Sequence, residues 1–303
     1  MDTPFRIGTR GSPLALFQAN LVRTTLAAAH GRDPLDFAIV PIRTTGDRVQ
    51  DRPLAEIGGK ALWTKELDRA LLLGDIDCAV HSLKDVETIR PDSIAIAAIL
   101  PRADVRDRLV GAASIDDLPV GAKIGTSSPR RAAQMRKLRP DLRIVPFRGN
   151  VDTRLGKLAA DEADATLLAA AGLEWLGRDD VGVAIALDQM LPAPSQGAIG
   201  VEVRADDAAA AALVGAIDDA DTHVCVMTER ALLAALQADC HSPVAALARG
   251  GIGRLLLRAE LLSEDGSDHV SGVIEGTGPE IGAALARDLL ARAPDAVRVR
   301  FGG

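Results

Sequence analysis

GTSSPRRAAQMRKLRPDLRIVPFRGNVDTR, residues 125 to 154, is the stretch from which the fold is read. Thr126, Ser127 and Ser128 lead into Pro129, and an Arg-rich run with helical spacing follows. Ser128 before Pro129 marks a helix start, because a serine oxygen satisfies an orphan N–H and proline suits the first helical position. RIVPF then reads as a strand, and RGNVDTR turns the chain into a second helix. Strand and helix alternating across short turns indicate a parallel α/β unit. Both helix starts are expected at one end of that sheet, where Arg130, Arg131, Arg148 and Arg154 would face one crevice. Helix N-termini attract anions, so the stretch is a candidate anion site.

The first hundred residues repeat the alternation. A short strand at 5–9 runs to Ser12 and Pro13, a cap and first position for a helix bearing Leu14, Phe17, Leu21 and Leu26. Strands are expected at 35–44, 78–82 and 94–100, with a helix at 64–73. The CAVHS strand delivers His81, Ser82, Lys84 and Asp85 at its C-terminal end, where open α/β sheets hold ligands. Residues 45–62 lack periodicity, and a loop of that length is usually a binding loop or lid.

The second unit is expected to run through a strand at 122–126, a helix at 129–138, a strand at 142–147, a helix at 151–161, a strand at 164–169 and a helix at 170–176. LPAPSQGAIGVEVRADD (191–207) returns the chain to the first unit. Beyond it lie an amphipathic helix at 222–238, strands near 244–248, 254–262 and 269–276, a helix at 279–292 and a final strand. Domain 1 is therefore 1–99 with 197–217, domain 2 is 100–196, and a small α+β domain 3 is 218–303.

Length alone favours two or three domains for 303 residues. A net charge of −7 argues against general nucleic-acid binding, yet residues 101–158 hold thirteen Lys/Arg against six Asp/Glu. Focused positive charge with only 2% aromatic residues favours a small polyanion over a stacked strand of bases. No run is long enough to span a membrane, and the N-terminus lacks export features, so a cytoplasmic protein is expected. Cys78, Cys225 and Cys240 have neither disulfide-framework nor metal-ligand spacing. On pattern alone the arginines read equally as a solvated helix face, and Lys84 with Asp85 as a surface ion pair.

Taken in order, GTRGSPLALFQA, HSLKDVE, GTSSPRRAAQ, RGNVDTRLGKL, LPAPSQGAIGVEVR and ERALLAALQADCHSP resemble the porphobilinogen deaminase family from about residue 5 to about 250. The resemblance implies two periplasmic-binding-protein-like (type II) doubly wound domains plus a small α+β C-terminal domain. It implies a transferase that condenses four porphobilinogen molecules, with loss of ammonia, onto a dipyrromethane cofactor held by a thioether, then releases the linear tetrapyrrole by hydrolysis. Carried onto this sequence, the attachment residue is Cys240 and the catalytic residues are Asp85 and Lys84. Cofactor contacts fall on Lys84, Asp85, Thr126, Ser127, Ser128, Arg130, Arg131 and Arg148. Substrate contacts fall on Arg10, Ser12, Gln18, Arg148, Arg154 and Gln196, and the lid on Gly58, Gly59, Lys60 and Trp63. A monomer without metal, nucleic acid or membrane is expected; the alternative is a non-catalytic small-anion-binding protein of the same fold.

The chemistry suits these residue types. Porphobilinogen carries acetate and propionate groups, which planar arginines bind bidentately. Loss of ammonia makes a cationic pyrrole species, so an ionised carboxylate is needed beside it. Cys240, past a helix C-terminus and next to Asp239, is poorly placed to form a thiolate, which a once-formed thioether tolerates. The chain departs from the family pattern at Glu87, where HSxKDxP has proline, and at Ser195, where glycine precedes Gln196. It also has Ala238 and Asp239 where Gly-Gly precedes the cysteine; if either glycine needs positive φ, Ala238 is strained.

Overall fold

The computed structural model describes residues 4–43 and 64–301. The expected lid residues Gly58, Gly59, Lys60 and Trp63 lie outside the described residues. Along the chain the strands are β1 (Phe5–Arg10), β2 (Phe37–Ile42), β3 (Cys78–Ser82), β4 (Ile94–Ile99), β5 (Asp107–Val110), β6 (Lys123–Gly125), β7 (Arg143–Val145), β8 (Ala165–Ala169), β9 (Val183–Ala184), β10 (Ile199–Arg204), β11 (Val244–Gly251), β12 (Arg254–Leu262) and β13 (His269–Gly276).

Contacts divide the chain into two compact units, Met1–Arg102 with Ala198–His223 and Ala103–Gly197 with Val224–Gly303. The first holds a five-stranded sheet of order β2-β1-β3-β10-β4. β1 is parallel to β2 and β3, and β10 enters antiparallel between β3 and β4. In the second unit the order β7-β6-β8-β5-β9 repeats that plan, with β5 as the antiparallel insert. A separate antiparallel sheet, β11-β12-β13, carries the helices Ala220–Ala235 and Glu280–Arg292 over its own apolar core. The mixed α/β class with a small third sheet is the expected one.

Local sequence explains the elements that position the site. Ser12 caps the helix Pro13–His30, its Oγ accepting from Ala15 N–H at 3.3 Å. Ser128 and Asn150 cap the helices Pro129–Leu138 and Val151–Ala159 by accepting from Arg131 and Thr153 N–H. β7 is shorter than expected because Pro146 cannot extend a hydrogen-bonded ladder. Two glycines are demanded by close packing: a Cβ on Gly125 would sit 2.4 Å from the Phe147 ring, and one on Gly200 would sit 2.4 Å from Leu83.

One strand, β5, was not expected, and one expected strand is corrected. β5 was hidden because its ladder includes Asp107 and Arg108 where an apolar run is the usual sign. The expected final strand is instead a short helix, Asp295–Arg298. Val297 and Phe301, four apart, are buried, whereas Val299 is 75% exposed. Strand alternation would have placed all three on one face; the helical period buries two and releases the third.

Candidate active site

In the first unit the parallel strands β1 and β3 end side by side and bring Arg10 to the same edge as Ser82. A 3-10 turn, Leu83–Asp85, continues β3 and leaves Asp85 exposed and Lys84 half-buried. Leu83 anchors that turn: its N–H donates to Ala198 O at 3.0 Å and its side chain packs on Gly200. Arg10, Ser12, Gln18, His81, Ser82 and Asp85 line one cleft of about 430 Å³, including its solvent-open part. Gln18, buried in the first helix, donates from Nε2 to Ser82 Oγ at 2.7 Å and ties the helix to β3.

Beneath the cleft lies an ionic cluster that sequence reasoning missed. Glu202, fully buried in β10, accepts from Arg90 Nε and Nη2 at 2.8 and 2.9 Å, and its Oε2 lies 3.2 Å from His81 Nε2. Arg90 also reaches Asp68 at 2.5 Å and Glu87 at 2.8 Å. Burial opposes the charge on Glu202, but hydrogen bonding and charge from His81 and Arg90 outweigh it and hold the carboxyl down at about 2. Burial pushes Asp68 up, against the pull of Arg90. A lone glutamate inside the apolar strand IGVEVR was the available signal.

The second unit has the inverse cluster. Arg130 and Arg131 do not project from their helix toward solvent; both are buried against Asp107, at 2.7 and 2.6 Å. Arg130 Nη1 also meets Gln134 Oε1 and Leu191 O, Arg131 Nη1 meets Leu167 O, and Arg130 Nε has no hydrogen-bond partner. Gln196 donates to Asp107 Oδ1 at 3.0 Å and to Val105 O at 2.8 Å. Burial would raise the Asp107 carboxyl, yet the two guanidinium charges and their hydrogen bonds hold it well below the usual carboxylate range.

The remaining predicted anion contacts sit on turns of the same unit and, for Arg154, in the first turn of the helix Val151–Ala159. Ser127 donates to Phe147 O at 2.8 Å, Thr126 Oγ1 accepts from Ser128 N–H at 3.2 Å, and Arg154 Nε donates to Gly149 O at 3.0 Å. Arg148 and Arg154 are half-buried. The stretch that fixes the fold thus brings together two kinds of arginine, one pair locked on Asp107 and one pair at the turn around Gly149.

Cys240 lies on an exposed turn, whereas Cys78 and Cys225 are buried. Burial pushes the Cys78 thiol up, and of the three sulfurs Cys240 is the one open to solvent. Asp239 Oδ1 accepts from His241 N–H at 2.9 Å, and Ser242 N–H donates to Asp239 O at 3.0 Å, which fixes the turn around the cysteine. The anticipated strain at Ala238 is absent. Positive φ falls on Gln237, at 52°, where the helix closes with Ala238 N–H donating to Leu233 O. Among the described residues no His/Cys/Asp/Glu group is arranged to hold a metal.

Residues 5–212 match the family model described as "Porphobilinogen deaminase, dipyromethane cofactor binding domain", and residues 223–291 match "Porphobilinogen deaminase, C-terminal domain". A porphobilinogen deaminase of Sphingopyxis alaskensis is 60% identical over 99% of this chain and 97% of its own. One from Paracoccus denitrificans is 53% identical over 97% of this chain and 96% of its own. Among solved structures, a nutrient binding protein from Burkholderia cenocepacia bound to methionine is 17% identical, with a TM-score of 0.44 over 70% of this chain and 91% of that chain.

Proposed function

The chain belongs to the porphobilinogen deaminase family, a transferase that carries a dipyrromethane cofactor, and we propose that its Asp85 is the catalytic carboxylate and Cys240 the attachment residue. The enzyme joins four porphobilinogen molecules into hydroxymethylbilane. The observation that carries the assignment of Asp85 is its exposure on a turn fixed at the rim of the cleft that Arg10, Ser12 and Gln18 also line. A carboxylate held there offers preorganised negative charge to a cationic pyrrole and accepts pyrrole N–H groups.

Arg10, Ser12 and Gln18 then bind substrate carboxylate and amine groups, with Lys84 adding a cation beside Asp85. Arg148, Arg154 and the Thr126–Ser128 turn bind the carboxylates of the growing chain, supported by Gln196. Arg130 and Arg131 act in that role from their hold on Asp107. Bound dipyrromethane supplies the pyrrole carbon to which the first substrate is joined. Residues 1–99 with 197–217, 100–196 and 218–303 are the three domains of this reading, and residues 225–301 do carry a core of their own. The protein works in the cytoplasm as a monomer in tetrapyrrole and heme biosynthesis; no helix among the described residues is long and apolar enough to cross a membrane.

Intact-protein mass spectrometry tests the assignment. Protein from cells that make porphobilinogen is expected to exceed its sequence mass by two linked pyrrole units, and Cys240→Ser to lack the increment. Unmodified parent protein, or a modified Cys240→Ser, breaks it. Asp85→Asn is expected to keep the increment and bind substrate while the chemical step slows by on the order of 3 kcal/mol, about a hundredfold. Parental turnover in that variant removes Asp85 from the chemistry.

A further inference from the structure

The turn that carries Asp85 is anchored on its near side by Leu83, whereas its far side leaves regular structure at Val86 until β4 begins at Ile94. Glu87 stands one residue beyond Val86 and is held from two directions. Thr64 Oγ1 donates to its carboxylate at 2.8 Å, and Arg90 Nη1 donates to it at 2.8 Å. Arg90 is itself held in place: its side chain is 9% exposed and its other donors are engaged by Glu202 and Asp68. Glu202 belongs to β10, whose Gly200 receives Leu83. Both sides of the Asp85 turn therefore close on one strand, through an apolar contact on one side and an ionic one on the other.

We propose that Glu87 and Arg90 form an ionic brace that positions Asp85 for the condensation, in place of the proline that the family pattern has at the Glu87 position. The proposal rests on Asp85 being the catalytic carboxylate. Proline would stiffen this segment through its ring and by restricting the residue before it to extended backbone. Val86 already has that conformation, at φ −90° and ψ 138°. Glu87 cannot stiffen the backbone in this way, and its side chain is the one tied to the buried guanidinium. Both are positioning residues, because neither needs to touch substrate. Misplacing a reacting group by a fraction of an ångström slows the chemical step more than it weakens binding.

The test compares Glu87→Ala, Glu87→Pro and Asp85→Asn in the holoenzyme, with kcat and KM for porphobilinogen measured for each. Arg90 keeps Asp68 and Glu202 in both Glu87 variants, so the core stays closed, and the unfolding midpoint records that. Glu87→Ala is expected to lose on the order of tenfold in kcat with KM within about twofold, and Glu87→Pro to recover most of that loss. Parental kcat in Glu87→Ala, a loss confined to KM, or a loss that Glu87→Pro does not recover overturns the brace. If Asp85→Asn is slow while Glu87→Ala is parental, the brace alone fails. Should Asp85→Asn itself turn over at the parental rate, the reading of Asp85 fails and the brace with it.

Discussion

The ionic clusters of the two units are built the opposite way round. In the first, one guanidinium, Arg90, is surrounded by three carboxylates, Asp68, Glu87 and Glu202. In the second, one carboxylate, Asp107, holds two guanidinium groups, Arg130 and Arg131. The first gathers more carboxylates than guanidinium groups under the cleft where Asp85 sits, with His81 also against Glu202, and the second more guanidinium groups than carboxylates in the unit that carries Arg148 and Arg154. Each excess matches the charge its unit is proposed to meet, a cationic pyrrole in one case and substrate carboxylates in the other. The two clusters also differ in how they tolerate damage, because a carboxylate can take up a proton and a guanidinium cannot release one.

Removal of the central member is the strongest way to break the comparison. Asp107→Ala strands two buried cations that have no route to neutrality, and is expected to cost about 3–5 kcal/mol in denaturant unfolding at neutral pH. Arg90→Leu strands carboxylates of which Asp68 is already pushed toward its neutral form, so its cost is expected to be smaller. Equal losses would show that burial, and not the sign of the charge, governs both clusters.

Acid weakens both clusters, since Asp107 is also held low, but a Glu202 variant compared with the parent isolates the first. Glu202 is held at about 2 in the folded protein, against 4.5 for an ordinary glutamate. A depressed folded value means the stabilisation is complete above the unfolded value and is lost as pH falls from about 4.5 through about 2. Glu202→Gln is therefore expected to cost on the order of 3 kcal/mol at pH 7, and the gap to the parent should close toward pH 2. Urea unfolding at pH 7, 4 and 2.5 measures this. A gap that is constant with pH would assign the cost to packing or lost hydrogen bonds, not to the charge held by Arg90 and His81.

The two clusters also explain what was legible in the sequence. The alternation of elements, the caps at Ser12, Ser128 and Asn150, and the ends of β1 and β3 follow from local chemistry, so the strand that delivers Asp85 could be read directly. Local pattern gives no sign of which side chains meet across a sheet. Asp107 and Arg131 are 24 residues apart, and Arg90 and Glu202 are 112 apart. That Arg130 and Arg131 meet a buried carboxylate could not be read, because nothing near them in sequence supplies the counter-charge. In β5 the sign was inverted, since the residue that matters most is the charged one in the strand. Val297, Val299 and Phe301 fit two periods equally over so short a span, and packing chose the helical one.

The smallest expected effect concerns the turn that holds Gln196 on Asp107. Ser195 has φ 63°, a conformation that favours glycine, and stands where glycine precedes Gln196 in the family pattern. The turn is fixed by contacts that do not involve its side chain: Ser195 N–H donates to Glu229 Oε2 at 2.6 Å, and Glu229 Oε1 accepts from Ala248 N–H at 2.8 Å. Replacing Ser195 with glycine removes about 1–2 kcal/mol of left-handed strain, while the freer unfolded chain takes back about 0.4–1 kcal/mol. Ser195→Gly is thus expected to stabilise by about 0.5 kcal/mol. Because Glu229 keeps the turn in place, the Gln196–Asp107 bond should persist, and Ser195→Gly should add to Asp107→Ala within about 0.5 kcal/mol. A larger coupling would mean that the strain at Ser195 is what presses Gln196 onto Asp107, making the turn a fourth member of the second cluster and not merely its neighbour.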